Sequence, residues 1–151
     1  MTGQHRISAG AIVIRGGKIL LVRYRDGHGK TYLVGPGGGV GSEEGLTQAI
    51  SREVKEETSI EVAPTNLLCV DDLYSHKYRM VKIWFLCRVV RGRLKRTRGA
   101  VDEGIVEAGW YSKADLENET VYPPIVKQAD WTSFAQDGWH AKCLEITYAD
   151  F

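Results

Sequence analysis

Near the start of the chain, apolar residues favourable to strands form runs that are bounded by polar residues and glycines, a pattern typical of β-strands. It predicts strands at Ile7–Arg15 and Lys18–Arg25, joined by the hairpin turn Gly16-Gly17, and a short strand at Thr31–Val34. Later apolar runs predict four further strands, at Leu67–Asp72, Met80–Val90, Ala108–Tyr111 and Cys143–Tyr148.

Apolar residues recur with helical spacing in one long segment, where Leu46, Ala49, Ile50 and Val54 fall on one side of a helix. A capping-box-like start lies at 112–115, and the prolines at 123 and 124 open a second predicted helix that runs to about residue 136. Helices among about seven strands indicate a mixed α/β fold. Because no repeat or low-complexity linker interrupts the pattern, we expect one domain over residues 1–151.

Composition narrows the class of protein. The 151 residues are 43% hydrophobic and 26% charged, with a net charge of +1, so no strong field marks the chain as a binder of nucleic acid or membrane. We expect a cytoplasmic protein, because the sequence has no signal-peptide pattern and no apolar run of membrane-spanning length. The three cysteines, Cys69, Cys87 and Cys143, are predicted to be buried free thiols.

Three glutamates interrupt the apolar side of the first helix. Glu53, Glu56 and Glu57 follow each other at i, i+3 and i+4, while Lys55 points away from them. One interpretation is a solvated acidic face with Arg52 and Lys55 as partners. The other is a site for a hard cation such as Mg²⁺, which takes oxygen ligands and shares itself with substrate phosphates. A carbonyl of Gly37 or Gly38 would add a ligand, because that glycine-rich loop precedes the helix.

The segment from Gly38 to Ile60 resembles the Nudix box, G-x5-E-x7-R-E-U-x-E-E-x-G-U, where U is aliphatic. Eight fixed places match in register: Gly38, Glu44, Arg52, Glu53, Val54, Glu56, Glu57 and Ile60. One place departs, since Ser59 stands where the pattern has its second glycine. A glycine after a helix end usually adopts a left-handed conformation, so Ser59 raises a question of stability and removes no ligand.

This resemblance implies the α/β/α sandwich of Nudix hydrolases, with a mixed β-sheet. It implies that Arg52 pairs with Glu44 and so holds the loop against the helix. It also implies a further glutamate from a distant loop, for which Glu103 is the first candidate and Glu107 the second. The general base differs among members of the family. We favour Glu53, because it lies one turn before the glutamates at 56 and 57.

Candidate substrate contacts lie outside the box. Arg23 and Arg25 share one strand face by alternation, and a forked guanidinium suits phosphate, although an ordinary surface pair is an equal alternative. Tyr78 lies where some dinucleoside polyphosphate hydrolases of the family carry a tyrosine. Further aromatic candidates for stacking on a base, each also suited to the core, are Tyr24, Tyr32, Tyr74 and Trp84.

The functional hypothesis is a hydrolase that depends on Mg²⁺, with Mn²⁺ as a possible substitute, and cleaves a phosphoanhydride bond. Its substrate would be a nucleoside diphosphate linked to another moiety: a nucleoside triphosphate, a nucleotide sugar, ADP-ribose or a dinucleoside polyphosphate. The alternative is a module that binds a nucleotide without cleaving it. A nucleic-acid substrate is disfavoured, since the basic cluster over residues 93–98 is its only hint. Dimers are common in the family that the sequence resembles, so the resemblance implies a homodimer.

Overall fold

Ten strands and three helices make up the computed structural model, which describes residues 3–149. The strands are β1 (Gln4–Arg15), β2 (Lys18–Arg25), β3 (Thr31–Val34), β4 (Gly37–Gly39), β5 (Glu61–Ser75), β6 (Tyr78–Arg91), β7 (Ile105–Ser112), β8 (Val121–Tyr122), β9 (Lys142–Cys143) and β10 (Thr147–Ala149). The helices are α1 (Leu46–Thr58), α2 (Arg98–Asp102) and α3 (Ile125–Gln128).

Strand β1 lies at the centre of the sheet and takes part in three ladders. Over Gln4–Val13 it pairs in parallel with β6, and its middle also pairs antiparallel with the glycine strand β4. At Ile14 and Arg15 it pairs instead with β2, which continues to β3 and β7. The predicted mixed α/β architecture is thus confirmed, and the sheet diverges into two parts beyond Val13.

Helix α1 covers one face of this sheet. Its apolar residues Ile50 and Val54 are fully buried. They pack against alternate residues of β1 that share one face of the strand, namely Ala9, Ala11 and Val13. The N–H of Gly45 donates to the side-chain oxygen of Gln48 at 2.8 Å, which satisfies one of the free donors at the helix start. The predicted amphipathic stripe therefore fixes the helix against the central strand.

Two predicted helices are shorter in the structure than the sequence suggested. The segment after Pro123 forms only α3 and, after a break, a 3-10 turn at Trp131–Ala135. The break follows from Asp130, whose carboxylate accepts from the N–H of Thr132 and starts a new cap. The capping-box pattern does form between Ser112 and Asp115, but it supports only a 3-10 turn at Ala114–Leu116.

Three other expectations need correction. Strand β5 runs through Pro64 to Ser75, well beyond the predicted Leu67–Asp72, because irregularities in its pairing with β6 accommodate the proline. Cys69 and Cys87 are buried free thiols, but Cys143 is exposed. The reason is that the final predicted strand exists as two short pieces, β9 and β10, and β9 lies at the edge, exposed at both residues.

Ser59, directly after α1, has φ 69° and ψ 4°, which is the left-handed conformation that glycine adopts without strain. We expect Ser59→Gly to stabilise the protein by about 1 kcal/mol, a rise in Tm of about 2–4 °C for a chain of this size. Turnover should be nearly unchanged. Thermal unfolding of Ser51→Gly, a serine inside α1, is the matched control and should show a lower Tm. An unchanged or lower Tm for Ser59→Gly would contradict this account.

Candidate metal and nucleotide site

The second half of α1 carries two glutamates toward the protein interior. Glu53 is 5% exposed and Glu57 is fully buried, whereas the Glu56 side chain is 48% exposed. The glycine strand β4 packs directly on this helix face: a Cβ at Gly38 would lie 2.6 Å from the Glu53 carboxylate. Glycine at this position is therefore required for the close approach of strand and carboxylate.

The two buried carboxylates are only partly hydrogen-bonded. Glu57 Oε2 accepts from the N–H of Gly37 at 3.1 Å, and Glu53 Oε1 accepts from Arg52 at 3.0 Å. The other oxygens, Glu53 Oε2 and Glu57 Oε1, are buried without a hydrogen-bond partner among the described residues. Because an unpaired buried charge costs several kcal/mol, this arrangement calls for a cation between the two side chains.

Glu103 completes the cluster from a distant part of the chain. One carboxylate oxygen from each of Glu53, Glu57 and Glu103 lies within 4.8 Å of the others. Glu103 caps the C-terminus of α2, and α2 is held against α1 by Thr97, whose hydroxyl donates to the Glu56 carbonyl. These three acidic residues are compatible with a divalent cation. All three were among the metal ligands predicted from the sequence.

Burial and mutual repulsion shift the acidity of these groups. Burial raises the pKa of Glu57 to about 9; Lys82 opposes this shift, and the nearby charges of Glu103 and Glu53 add to it. Burial and Glu103 likewise raise the pKa of Glu53, although Arg52 counteracts them. Burial and mutual repulsion thus disfavour the charged form of both carboxyls, and a cation between them would offset this cost.

Arg52 connects the glycine-rich loop to the helix. Its Nε and Nη2 donate to the two oxygens of Glu44 at 3.0 and 2.6 Å, and its Nη2 also donates to the Gly39 carbonyl at 3.2 Å. The N–H of Gly41 donates to Glu44 as well, and these bonds lower the pKa of Glu44 to about 2. Arg52 thus fixes the loop while it orients Glu53. Lys55 points away, as expected from the sequence, and pairs with Glu61.

A cavity of about 700 Å³ opens beside the acidic cluster, between the two diverging parts of the sheet. Tyr78 lies on its wall, as do Tyr24, Tyr32 and Trp84 from the list of candidates for stacking on a base. Tyr74 lies elsewhere and is 46% exposed beside Tyr148. The remaining lining includes Gly37, Gly38, Glu103, Leu73, Met80, Asp71, Lys82 and Tyr122.

The two candidate arginines lie away from this lining. Arg23 forms two hydrogen bonds with Glu119, at 3.0 and 2.7 Å, and also approaches Glu107 at 3.6 Å. Arg25 lines a neighbouring cavity of about 550 Å³, which shares Tyr78 with the first cavity. Phosphate contacts by these arginines remain predictions, and Arg23 would have to leave its partner to make one.

Sequence analysis missed two charged residues in the cavity wall. Asp71 is fully buried, and Lys82 is 8% exposed. Burial raises the pKa of Asp71 against the influence of Lys82 and of the Trp84 indole, although Asp71 and Trp84 do not meet hydrogen-bonding geometry. A signal was present, because each residue interrupts an apolar alternation: Cys69-Asp71-Leu73 and Met80-Lys82-Trp84.

Comparison with known proteins decides the family. The family model for the NUDIX domain matches residues 4–132. The chain belongs to the NUDIX family. Its relatives include the mouse 8-oxo-dGDP phosphatase NUDT18, which is 36% identical over 92 residues, 61% of this chain and 27% of that protein. The human NUDT18 is 34% identical over 101 residues, or 66% of this chain. The NUDIX chain spans just over a quarter of the length of these relatives.

Solved structures agree with the NUDIX fold. A MutT NUDIX hydrolase from Burkholderia pseudomallei is 28% identical, with a TM-score of 0.70 over 83% of this chain and 97% of its own. An ADP-ribose pyrophosphatase from Streptococcus suis shares the fold, at 23% identity and a TM-score of 0.64 over 91% of this chain and 98% of its own. The predicted family and fold class are confirmed. Within residues 3–149, no helix is long and apolar enough to span a membrane.

The raised pKa of Glu57 predicts how stability depends on pH when metal is removed. Because the pKa of Glu57 is about 9 in the folded state and 4.5 as a model value, the folded protein binds the extra proton between these values. The stabilisation is present below about pH 4.5 and is lost as the pH rises towards 9. In EDTA we expect Tm to fall from pH 5.5 to 8.5, and Mg²⁺ to restore it at the higher pH.

Glu57→Gln is the control for this measurement, because the amide cannot ionise. Its Tm in EDTA should depend less on pH than that of the unchanged protein, and Mg²⁺ should raise its Tm less. Equal pH profiles for the two proteins would show that Glu57 does not carry the effect.

Proposed function

We propose that this chain catalyses the Mg²⁺-dependent hydrolysis of a phosphoanhydride bond in a nucleoside diphosphate linked to another moiety. The observation that carries the proposal is the cluster of Glu53, Glu57 and Glu103, whose oxygens lie within 4.8 Å of one another beside a cavity large enough for a nucleotide. Membership of a hydrolase family supports the same reaction class.

The donor set fits Mg²⁺. All three clustered side chains offer oxygen, the ligand that this ion prefers, and no histidine or cysteine joins them among the described residues. The unpartnered oxygen of Glu57 is the one that a cation would satisfy, and the unpartnered oxygen of Glu53 is left for the attacking water. Glu56 and the carbonyls of Gly37 and Gly38 are further candidate ligands. When bound, Mg²⁺ neutralises phosphate charge and makes water a better nucleophile; Mn²⁺ accepts similar ligands.

The protein groups then have separate tasks. Glu53 is our candidate for the general base, since its Oε2 is free to accept a proton from the attacking water. Arg52 orients Glu53 through the other carboxylate oxygen and, through Glu44, fixes the loop that carries Gly39. The N–H of Gly37 holds Glu57 in place. Arg52 and Glu44 act as positioning residues, because neither lines the cavity.

The names of similar proteins support a small nucleotide as the substrate. NUDT18 is named as an 8-oxo-dGDP phosphatase, and the Streptococcus suis protein as an ADP-ribose pyrophosphatase. Both names describe a diphosphate attached to a nucleoside. Nucleoside triphosphates, nucleotide sugars and dinucleoside polyphosphates belong to the same chemical class. A cytoplasmic location and a homodimer remain predictions from the sequence.

A second candidate is a domain that binds a nucleotide without cleaving it. Such a domain would not need the acidic cluster, yet this chain has Glu53, Glu56 and Glu57, and Arg52 still orients Glu53. The hydrolase therefore explains more of the structure. Release of product separates the two candidates, because a binding domain would retain the nucleotide intact.

A substrate panel tests the function directly. With Mg²⁺, we expect at least one nucleoside diphosphate derivative to release a mononucleotide or phosphate at a rate that EDTA abolishes and added Mg²⁺ restores. Chromatography of the products identifies the bond that is cleaved. Binding without product across the whole panel would favour the binding domain and contradict the hydrolase.

Replacement of Glu53 tests the assignment of the base. Glu53→Gln removes the proton acceptor and should lower kcat at saturating Mg²⁺ by about 10²-fold or more, the usual size of a general-base effect. The control is Glu117→Gln, which alters an exposed glutamate outside the cavity and should retain full activity. A loss smaller than about tenfold for Glu53→Gln would rule this assignment out.

A further inference from the structure

Basic side chains line a second cavity, of about 550 Å³, next to the cavity that opens beside the acidic cluster. Three of its lining residues carry a positive charge, namely Arg6, Arg25 and Lys77, and Asp26 is the one acidic residue in the lining. Over the whole chain positive and negative charges nearly cancel, with a net charge of +1. This local excess of positive charge therefore needs an explanation of its own.

The three cations have no internal counter-ion. No ion pair joins any of them to another residue within residues 3–149. Asp26 is engaged within its own loop, because its Oδ1 accepts from the N–H groups of His28 and Lys30 at 2.8 and 2.9 Å. Like charges gathered from separate segments repel one another, so an anion between them is stabilising. Guanidinium and ammonium groups suit phosphate in particular.

The segments that carry the cations are held in place without a ligand. Ser75 fixes the turn between β5 and β6, because its hydroxyl accepts from the N–H groups of Lys77 and Tyr78, both at 3.2 Å. Asp26 fixes the loop after β2 in a similar way. Arg6, from the start of β1, stacks with its guanidinium 4.2 Å from the centre of the Tyr78 ring. A site ordered in advance loses less entropy when it binds.

The second cavity continues the first, because Arg6, Tyr32 and Tyr78 belong to the walls of both. The sheet register gives the distance between their ends. Ala9 on β1 is opposite Gly38, and Arg6 precedes Ala9 by three residues. At about 3.3 Å per residue, Arg6 lies roughly 10 Å along the strand from Gly38. A ligand that reaches both the acidic cluster and Arg6 therefore needs negative groups separated by a distance of this order.

We propose that Arg6, Arg25 and Lys77 form a second phosphate subsite, which binds a phosphate of the substrate outside the linkage that is cleaved. The substrate is then a nucleoside diphosphate derivative with at least one additional phosphate, either on a ribose or in a longer chain between two nucleosides. The sequence indicated Arg25 as a phosphate contact, and the structure places it in this second cavity. The inference rests on the proposed function, because it takes the cleaved linkage to lie at the acidic cluster.

The test is a binding measurement that needs no turnover. Calorimetry with Ca²⁺ in place of Mg²⁺ compares three pairs of nucleotides: ADP-ribose with its 2′-phosphate, dephospho-coenzyme A with coenzyme A, and diadenosine diphosphate with diadenosine tetraphosphate. The first two pairs report a phosphate on the ribose, and the third reports a longer chain. In at least one pair we expect the additional phosphate to tighten binding by about tenfold or more, the size of a charge-assisted hydrogen bond.

Variants assign this gain to the subsite. The double variant Arg6→Gln with Arg25→Gln should reduce the gain to within about threefold, because two of the charged donors are lost. Arg15→Gln is the matched control: Arg15 lies on the same strand as Arg6 and also stacks on an aromatic ring, 4.7 Å from the centre of Trp110, but it lines neither cavity. It should keep the gain. Lys77→Gln leaves the stacked arginine unchanged and should lower the gain by itself.

Three outcomes would overturn the inference. The first is equal affinity within all three pairs for the unchanged protein. The second is a gain that survives in the double arginine variant, and the third is an equal loss of the gain in Arg15→Gln, which would indicate a general effect of net charge. The proposed function fails separately. A protein that prefers the additional phosphate but releases no product with Mg²⁺ supports the subsite and contradicts the hydrolase, whereas hydrolysis without this preference contradicts only the subsite.

Discussion

The burial of two carboxylates one helical turn apart is the constraint on which the site depends. Glu53 and Glu57 lie against the sheet, and each has one oxygen without a partner. Burial raises the pKa of both side chains, because it disfavours their charged forms. The fold thus carries an electrostatic cost that a bound divalent ion would remove, which would link ion binding to folding stability.

The surrounding structure keeps this acidic pair in place. In strand β4 a side chain at Gly38 would collide with Glu53, and one at Gly37 would collide with the main chain of β1. Arg52 lies on the outer side of the same helix and ties Glu44 and the loop carbonyl of Gly39 to it. Helix α2 adds Glu103 from the opposite side. Strand β4, helix α1 and helix α2 therefore meet at the acidic cluster. Each is held by hydrogen bonds that involve main-chain atoms and do not require the ion.

Local patterns were sufficient to predict that the residues of this half of the candidate site lie close together. The helical spacing of the glutamates and the matching positions of Glu44 and Arg52 lie within one continuous segment, so the sequence contains their geometry. Residues that meet through strand pairing were harder to find. Asp71 and Lys82 come together only because β5 and β6 adopt one register, and irregularities near Pro64 and Leu67 shift that register along the strand. The broken helix after Pro123 likewise depends on a local cap at Asp130, which competes with helix continuation.

The packing around Trp84 carries a consequence for the history of the family. Its ring fits because residues 10 and 35 are both glycine; a Cβ would lie 2.4 Å from the ring at Gly10 and 2.6 Å from it at Gly35. An alanine at either position and a tryptophan at 84 are therefore mutually exclusive without movement of the main chain. Positions 10 and 84 should therefore change together, whereas Gly35 should be kept whatever residue occupies position 84, because a Cβ there would also lie 2.6 Å from the Ala11 carbonyl oxygen.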